Sequence, residues 1–229
     1  MIDLKLGDCF ELMQNVPDNS VDLVVTDPPY LIETSGGGIY KQANIHYANE
    51  LSEMKDGFAE SILDEFCRAL KKINIYIFCS QKQIIPLLDY FVKRKKCNWN
   101  LLCWHKSNTV PNCGNKYLTD TEYALFFREK GVRIYGSFNT KRTYYVTSPS
   151  RKDKKTFGHP TVKPLEIVQN MVLNSSQEHD MVLDPFMGSG TTGVASVKAN
   201  RSFIGMEKVS KYFDIAKQRI EQAQSEVIP

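Results

Sequence analysis

The stretch Asp27-Pro28-Pro29-Tyr30 places one carboxylate, two carbonyls and an aromatic ring directly after an apolar, β-branched run at residues 21–26. Consecutive prolines hold φ at roughly −65° and remove two backbone N–H groups, so neither a strand ladder nor a helix continues through them. The result is a stiff corner whose groups suit an exocyclic amine on a flat ring. The carboxylate and a carbonyl each accept one N–H, and the tyrosine stacks on the ring face. Nothing in the corner is an electrophile, so the group that reacts with such an amine has to be brought by a ligand. An ordinary strand ending in a Pro-Pro turn would read the same way.

A second stretch supplies a place for that ligand. The apolar residues 181–183 lead into Asp184-Pro185-Phe186-Met187-Gly188-Ser189-Gly190-Thr191-Thr192, then a helical pattern to Ala199, then an apolar run at 201–206 that ends in Glu207. Strand, glycine-rich turn, helix, strand and acid is the layout of a nucleotide-type cofactor site. The glycines let backbone approach the ligand, and the acid takes two ribose hydroxyls. The turn lacks the lysine of a phosphate-binding loop and is not Gly-x-Gly-x-x-Gly, which weighs against ATP and NAD. At the start of the chain, Ile2, Leu4 and Leu6 alternate with polar residues and stop at Gly7-Asp8-Cys9. Asp8 is a further candidate ligand group, or the N-cap of a helix.

These residues need a scaffold, and the hydrophobic patterning describes one. An amphipathic helix runs from Phe58, with Ile62, Leu63, Phe66, Cys67, Leu70 and Ile73 at helical spacing. A strand at 75–79 follows. Ser80 and Gln83 form a capping-box pattern opening a helix that ends in Lys93-Arg94-Lys95-Lys96, a basic run best read as a solvated helix end. Strands at 100–104 and 122–127, a helix at 165–173 and a C-terminal helix from Ser210 to about Ser225 complete the pattern. The expectation is an α/β fold, a mainly parallel sheet covered by helices, in one catalytic domain spanning residues 1–229. Residues 31–55, with Gly36-Gly37-Gly38, read as a mobile loop over the corner.

Residues 133–157 break this rhythm. Arg133, Lys141, Arg142, Arg151, Lys152, Lys154 and Lys155 are interleaved with Tyr135, Phe138, Tyr144, Tyr145 and Phe157. Basic side chains among aromatics suit a surface that contacts phosphates and stacks on bases, and Lys141, Arg142, Arg151, Lys152, Lys154 and Lys155 are the candidate nucleic-acid contacts. An exposed β-hairpin with a solvated loop would give the same pattern.

With 42% apolar residues, 24% charged residues and a net charge of +3 over 229 residues, the chain has a globular composition and no global polyanion-binding charge. The six cysteines contain no Cys-x-x-Cys pair. Cys97, Cys103, His105 and Cys113 match no usual zinc spacing, so no metal is expected. The N-terminus has neither a charged leader nor an apolar core, and no run approaches the ~20 apolar residues of a membrane span, which predicts a cytoplasmic protein.

Taken together, Asp-Pro-Pro-Tyr at 27–30 and Asp-Pro-Phe-Met-Gly-Ser-Gly-Thr-Thr at 184–192 resemble the catalytic and cofactor motifs of S-adenosylmethionine-dependent DNA methyltransferases that act on exocyclic amines. The order, catalytic motif first, is similar to the β group of that family. His159-Pro160-Thr161-Val162-Lys163-Pro164, Gly7-Asp8-Cys9 and Trp104-His105-Lys106-Ser107-Asn108 resemble further family segments. The resemblance implies a Rossmann-like methyltransferase fold with helices on both faces of the sheet, and S-adenosyl-L-methionine as cofactor. It also implies a catalytic set of Asp27, Pro28, Pro29 and Tyr30. Asp27 and the Pro28 carbonyl would accept the amine hydrogens, and Tyr30 would stack on an extruded base. Asp8, Cys9, Asp184, Phe186, Gly188, Ser189, Gly190, Thr191 and Glu207, with Thr161 and Lys163, would surround the cofactor. Double-stranded DNA is the implied substrate, and a homodimer and a restriction endonuclease partner stay open. Aspartate at position 27 follows the tendency of the adenine N6 enzymes, whereas cytosine N4 enzymes more often carry serine there. A DNA-binding module without chemistry would have little need for both motifs intact.

Overall fold

The computed structural model describes residues 1–28, 60–109, 115, 117–148 and 162–227. Pro29, Tyr30, the loop at 31–55, Thr161 and the basic residues Arg151, Lys152, Lys154 and Lys155 therefore lie outside the described residues.

Eight strands form one sheet: β1 (Ile2–Leu6), β2 (Leu23–Thr26), β3 (Asn74–Cys79), β4 (Asn98–Lys106), β5 (Thr121–Arg128), β6 (Tyr144–Thr147), β7 (Met181–Asp184) and β8 (Ser202–Glu207). Their order across the sheet is β1-β8-β7-β2-β3-β5-β4-β6, and β5 alone runs antiparallel to its neighbours. From β2 the chain moves outward through β3 to β6, then returns to β7 on the other side of β2 and moves outward again through β8. The crevice between β2 and β7 is thus a topological switch point, the place where open α/β sheets bind ligands outside the carboxyl ends of their strands. Asp27 follows β2, and the glycine-rich turn follows β7.

The helices are α1 (Cys9–Met13), α2 (Glu60–Ala69), α3 (Gln81–Leu88), α4 (Leu165–Ser175), α5 (Thr191–Lys198) and α6 (Ser210–Val227). Strands β2 and β3 are buried at every residue, as central strands covered on both faces must be. Alternate side chains serve opposite cores. Val24, Ile75 and Ile77 pack with Ile62, Leu63 and Phe66 of α2, whereas Leu23, Val25, Tyr76 and Phe78 pack with Ile167, Val168, Met171 and Val172 of α4. This is the helix-covered, mainly parallel sheet that the patterning implies. Among the described residues no helix is long and apolar enough to cross a membrane.

Three local readings need adjustment. The helix opened by Ser80, whose N–H donates to Gln83 Oε1 at 2.9 Å, does not run regularly to the basic end. Pro86 interrupts its hydrogen-bond ladder, and residues Asp89–Arg94 form a π-helical turn. Strands β4 and β5 extend beyond the apolar runs at 100–104 and 122–127, because sheet pairing recruits flanking polar residues. Finally, the described part of 133–157 is not a β-hairpin. β6 lies parallel to β4 as an edge strand, with Tyr145 buried and Tyr144 exposed. The basic run keeps its reading as a solvated end: Lys93 pairs with Asp89 at 3.0 Å, Arg94 with Glu60 at 2.5 Å and Lys95 with Asp64 at 3.3 Å.

Candidate active site

Every strand but β5 delivers its carboxyl end to one edge of the sheet, and the chemistry-bearing residues collect there. On the β1–β8 side, Gly7 N–H donates to the Glu207 carbonyl at 2.9 Å, which joins the two turns. Asp8 caps α1 by accepting from Phe10 N–H at 2.9 Å and pairs with Lys208 at 3.3 Å. Cys9 is buried behind it, and burial raises its thiol pKa to about 12, so it stays neutral. The Glu207 carboxylate accepts Gly188 N–H at 3.0 Å and Val209 N–H at 2.8 Å. Burial raises its pKa despite those two donors. A carboxylate offers about four acceptor positions, so Glu207 keeps capacity for two hydroxyls.

The glycine-rich turn is held from below and from the side. Asp184 is buried, with its Oδ1 accepting Phe186 N–H at 3.1 Å. Burial pushes its pKa up to about 7, against the Thr192 hydroxyl and the Phe186 N–H, which favour the charged form. Gly188 and Gly190 both have positive φ, +49° and +79°. At Gly190 the need for glycine comes from helix packing: an added Cβ would lie 2.8 Å from the Ala216 Cβ and 2.9 Å from the Ala216 Cα on α6. Arg219, also on α6, donates to the Ser189 carbonyl, to Ser189 Oγ at 2.9 Å and to Thr191 Oγ1 at 3.4 Å. No sequence signal singles Arg219 out, because an arginine on an amphipathic helix is ordinary.

Across the switch point, Asp27 stands at the end of β2, and Pro28 is buried beside it. Lys163, which the sequence groups with the cofactor residues, is placed against Asp27: its ammonium donates to Asp27 Oδ2 and lies 3.2 Å from Glu122 Oε2. Lys106, the last residue of β4, reaches Glu122 Oε1 at 2.5 Å. Lys163 is only 7% exposed and sits 5.0 Å from the centre of the Phe78 ring. Burial opposes its charge, but Asp27 and Glu122 outweigh that cost and hold its pKa above the ordinary lysine value. Likewise burial opposes the Glu122 charge, and Lys163 and Lys106 hold its pKa below the usual range. The other oxygen of Asp27, Oδ1, is buried and without a hydrogen-bond partner among the described residues. A buried acceptor with no donor is costly in the free protein, and a ligand N–H is what would satisfy it.

Of the proposed nucleic-acid contacts, Lys141 and Arg142 are exposed. They follow a turn in which Thr140 Oγ1 donates to Asn174 Oδ1 at 2.8 Å, at the far end of α4. The next residue, Ser175, accepts at 2.8 Å from Asn74, the first residue of β3. Arg142 directly precedes Thr143, whose carbonyl accepts Cys103 N–H at 2.8 Å, so this segment leads from the end of α4 to the middle of β4. In contrast, Thr147 pairs with Lys106, and Lys163 contacts Asp27, so the chain on either side of residues 149–161 adjoins the carboxyl edge.

Comparison with known proteins agrees with this geometry. The model of a family described as DNA methylase matches residues 21–218. Among characterised proteins, the chain is 30% identical over 237 residues to the type II methyltransferase M2.LlaDCHI of Lactococcus lactis subsp. cremoris, covering 94% of this chain and 88% of that protein. It is 28% identical over 236 residues to M2.MboI of Moraxella bovis, covering 94% and 86%. Among solved structures, the complex of M1.HpyAVI with SAM superposes with a TM-score of 0.68 at 27% identity, covering 96% of this chain and all of that one. The cytosine-N4-specific PvuII DNA methyltransferase superposes with a TM-score of 0.71 at 18% identity, covering 98% and 90%, a likeness of fold.

Proposed function

The chain belongs to the DNA methylase family that modifies the N6 amine of adenine or the N4 amine of cytosine, and from that premise we propose that it methylates adenine N6 in duplex DNA. Its methyl donor is S-adenosylmethionine, which supplies a methyl group already activated on a sulfonium. The residues present fit that donor. Glu207 retains acceptor capacity for the ribose hydroxyls, and Asp8 stands at the end of the adjacent strand β1 in keeping with a cationic ligand. We assign cofactor contact to Asp8, the Cys9 backbone, Phe186, Gly188, Ser189, Thr191 and Glu207, with Gly190 and Asp184 shaping the turn.

An aryl amine is a poor nucleophile because its lone pair is delocalised into the ring, so alignment supplies most of the catalysis and no strong base is needed. In this reading the target base leaves the duplex and stacks on Tyr30, at a cost of about a few kcal/mol that stacking partly offsets. Asp27 Oδ1 and the Pro28 carbonyl accept the two amine hydrogens and turn the lone pair toward the methyl carbon. S-adenosylmethionine held by the residues above would supply the methyl carbon and keep the sulfur as leaving group, and the amine would shed one proton to solvent past the carboxylate.

The observation that carries this reading is the buried Oδ1 of Asp27, an acceptor without a hydrogen-bond partner among the described residues. The choice of adenine follows the family tendency for aspartate in that position. Phosphate contact is assigned to Arg151, Lys152, Lys154 and Lys155, whose flanking residues adjoin the active edge. The likeness to type II methyltransferases supports a setting in which a restriction endonuclease shares the recognition site. Digesting DNA methylated by the pure protein to nucleosides and weighing them tests the assignment. N6-methyladenine is expected, and N4-methylcytosine in its place would overturn it.

A further inference from the structure

We propose that Glu122 is a positioning residue for methyl transfer: by sharing the buried Lys163 ammonium with Asp27, it keeps that ammonium on Oδ2 and leaves Oδ1 open for the target amine. The inference rests on the methyltransferase reading of Asp27 given above. Four charges from four separate elements meet here. Asp27 follows β2, Lys106 ends β4, Glu122 opens β5 and Lys163 precedes α4. Two are acidic and two basic, so the cluster is balanced, which buried charges require.

The geometry is unequal in an informative way. Lys106 and Glu122 lie 2.5 Å apart, an anchoring pair that fixes the carboxylate in place. Glu122 Oε2 then stands 3.2 Å from the Lys163 ammonium, in an ion pair. The ammonium directs a hydrogen bond to Asp27 Oδ2 and none to Oδ1. An ammonium carries three donors on a flexible stem and follows charge. Without the Glu122 charge, the pull that draws the ammonium away from Asp27 is lost, and it shifts toward spanning both carboxylate oxygens. It would then compete with the target amine for Oδ1. Glu122 thus acts through Lys163 and touches neither substrate nor cofactor.

The test is a double-mutant cycle on the single-turnover rate of methyl transfer to duplex DNA, using the full chain with variants Glu122→Gln, Lys163→Gln and both together. Glu122→Gln is expected to lower the rate by about 10-fold or more while calorimetric affinity for S-adenosylmethionine stays within about two-fold. If Glu122 works through Lys163, the double variant is no slower than Lys163→Gln alone. Rate losses that multiply, a rate for Glu122→Gln within about two-fold of wild type, or cofactor affinity falling in step with rate would each overturn the proposal. Should Glu122→Gln not fold, Glu122→Asp replaces it, with a reduced rate at retained affinity expected and a wild-type rate refuting. Asp27→Ala, run alongside, separates the layers. Activity in that variant would sink the reading of the corner itself, whereas an inactive Asp27→Ala beside a fully active Glu122→Gln removes the role of Glu122 alone.

Discussion

Replacing Asp184 by Asn should make the ligand-free protein more stable as pH rises. Asp184 is buried beneath the cofactor turn, and burial raises its pKa from 3.8 to about 7. Between those values the folded state holds a proton that the unfolded state has lost. Stability therefore falls as pH climbs through that window, and the loss is complete above about 7. Linkage makes the Asp184 penalty roughly 2 kcal/mol at pH 5 and roughly 4 kcal/mol at pH 8. Asn keeps an acceptor for Phe186 N–H and does not titrate. The stability of Asp184→Asn relative to wild type should thus increase by about 2 to 3 kcal/mol from pH 5 to pH 8, flattening above the Asp184 pKa of about 7. Urea unfolding of both proteins at four or five pH values, without cofactor, measures that difference curve. A flat curve would show that Asp184 is ionised throughout and that its burial does not govern its titration.

Three further outcomes are expected. Asp27→Ala should abolish methyl transfer and leave affinity for S-adenosylmethionine within about three-fold by calorimetry, since the carboxylate faces the amine. Gly190→Val should lower thermal stability as well as cofactor binding, by about 3 kcal/mol or more, because its φ of +79° and the 2.8 Å approach to Ala216 both forbid a branched side chain. A variant that melts like wild type would discredit the packing argument. In DNA binding, four phosphate contacts give a slope of log affinity on log salt of about −3.6, or about 150-fold between 50 and 200 mM salt. Alanine at Arg151, Lys152, Lys154 and Lys155 should remove most of it. Alanine at Lys141 and Arg142, which precede β6 and lie farther from the carboxyl edge than Thr147, should change it by less than about 0.5.

The residues that are legible in the sequence are those whose chemistry is local to a few neighbours. Asp27 and the two prolines after it declare a stiff corner through backbone restriction alone. The strand-turn-helix-strand rhythm around Gly188 and Glu207 encodes a cofactor site through periodicities of two and 3.6. The two cores are legible as well, because alternation along β2 and β3 already sorts Val24 from Val25 and Ile75 from Tyr76. Strand direction is not local in this sense. An apolar run such as 122–127 reads the same whether it lies parallel or antiparallel, and only the sheet shows that β5 runs backward. That reversal brings the first residues of β5, rather than its last, to the carboxyl edge, and so turns an unremarked Glu122 into a neighbour of Lys163. Lys163 itself sits beside a motif whose partners in sequence point to the cofactor, yet 136 residues of separation close to bring it onto Asp27. Arg219 reaches Ser189 for the same reason, across a helix packing that leaves no trace in spacing. Motif chemistry was therefore set by the chain's local grammar, while the charges that tune it were assigned by the order and direction of the strands. Those depend on long-range pairing, which no single window of sequence contains.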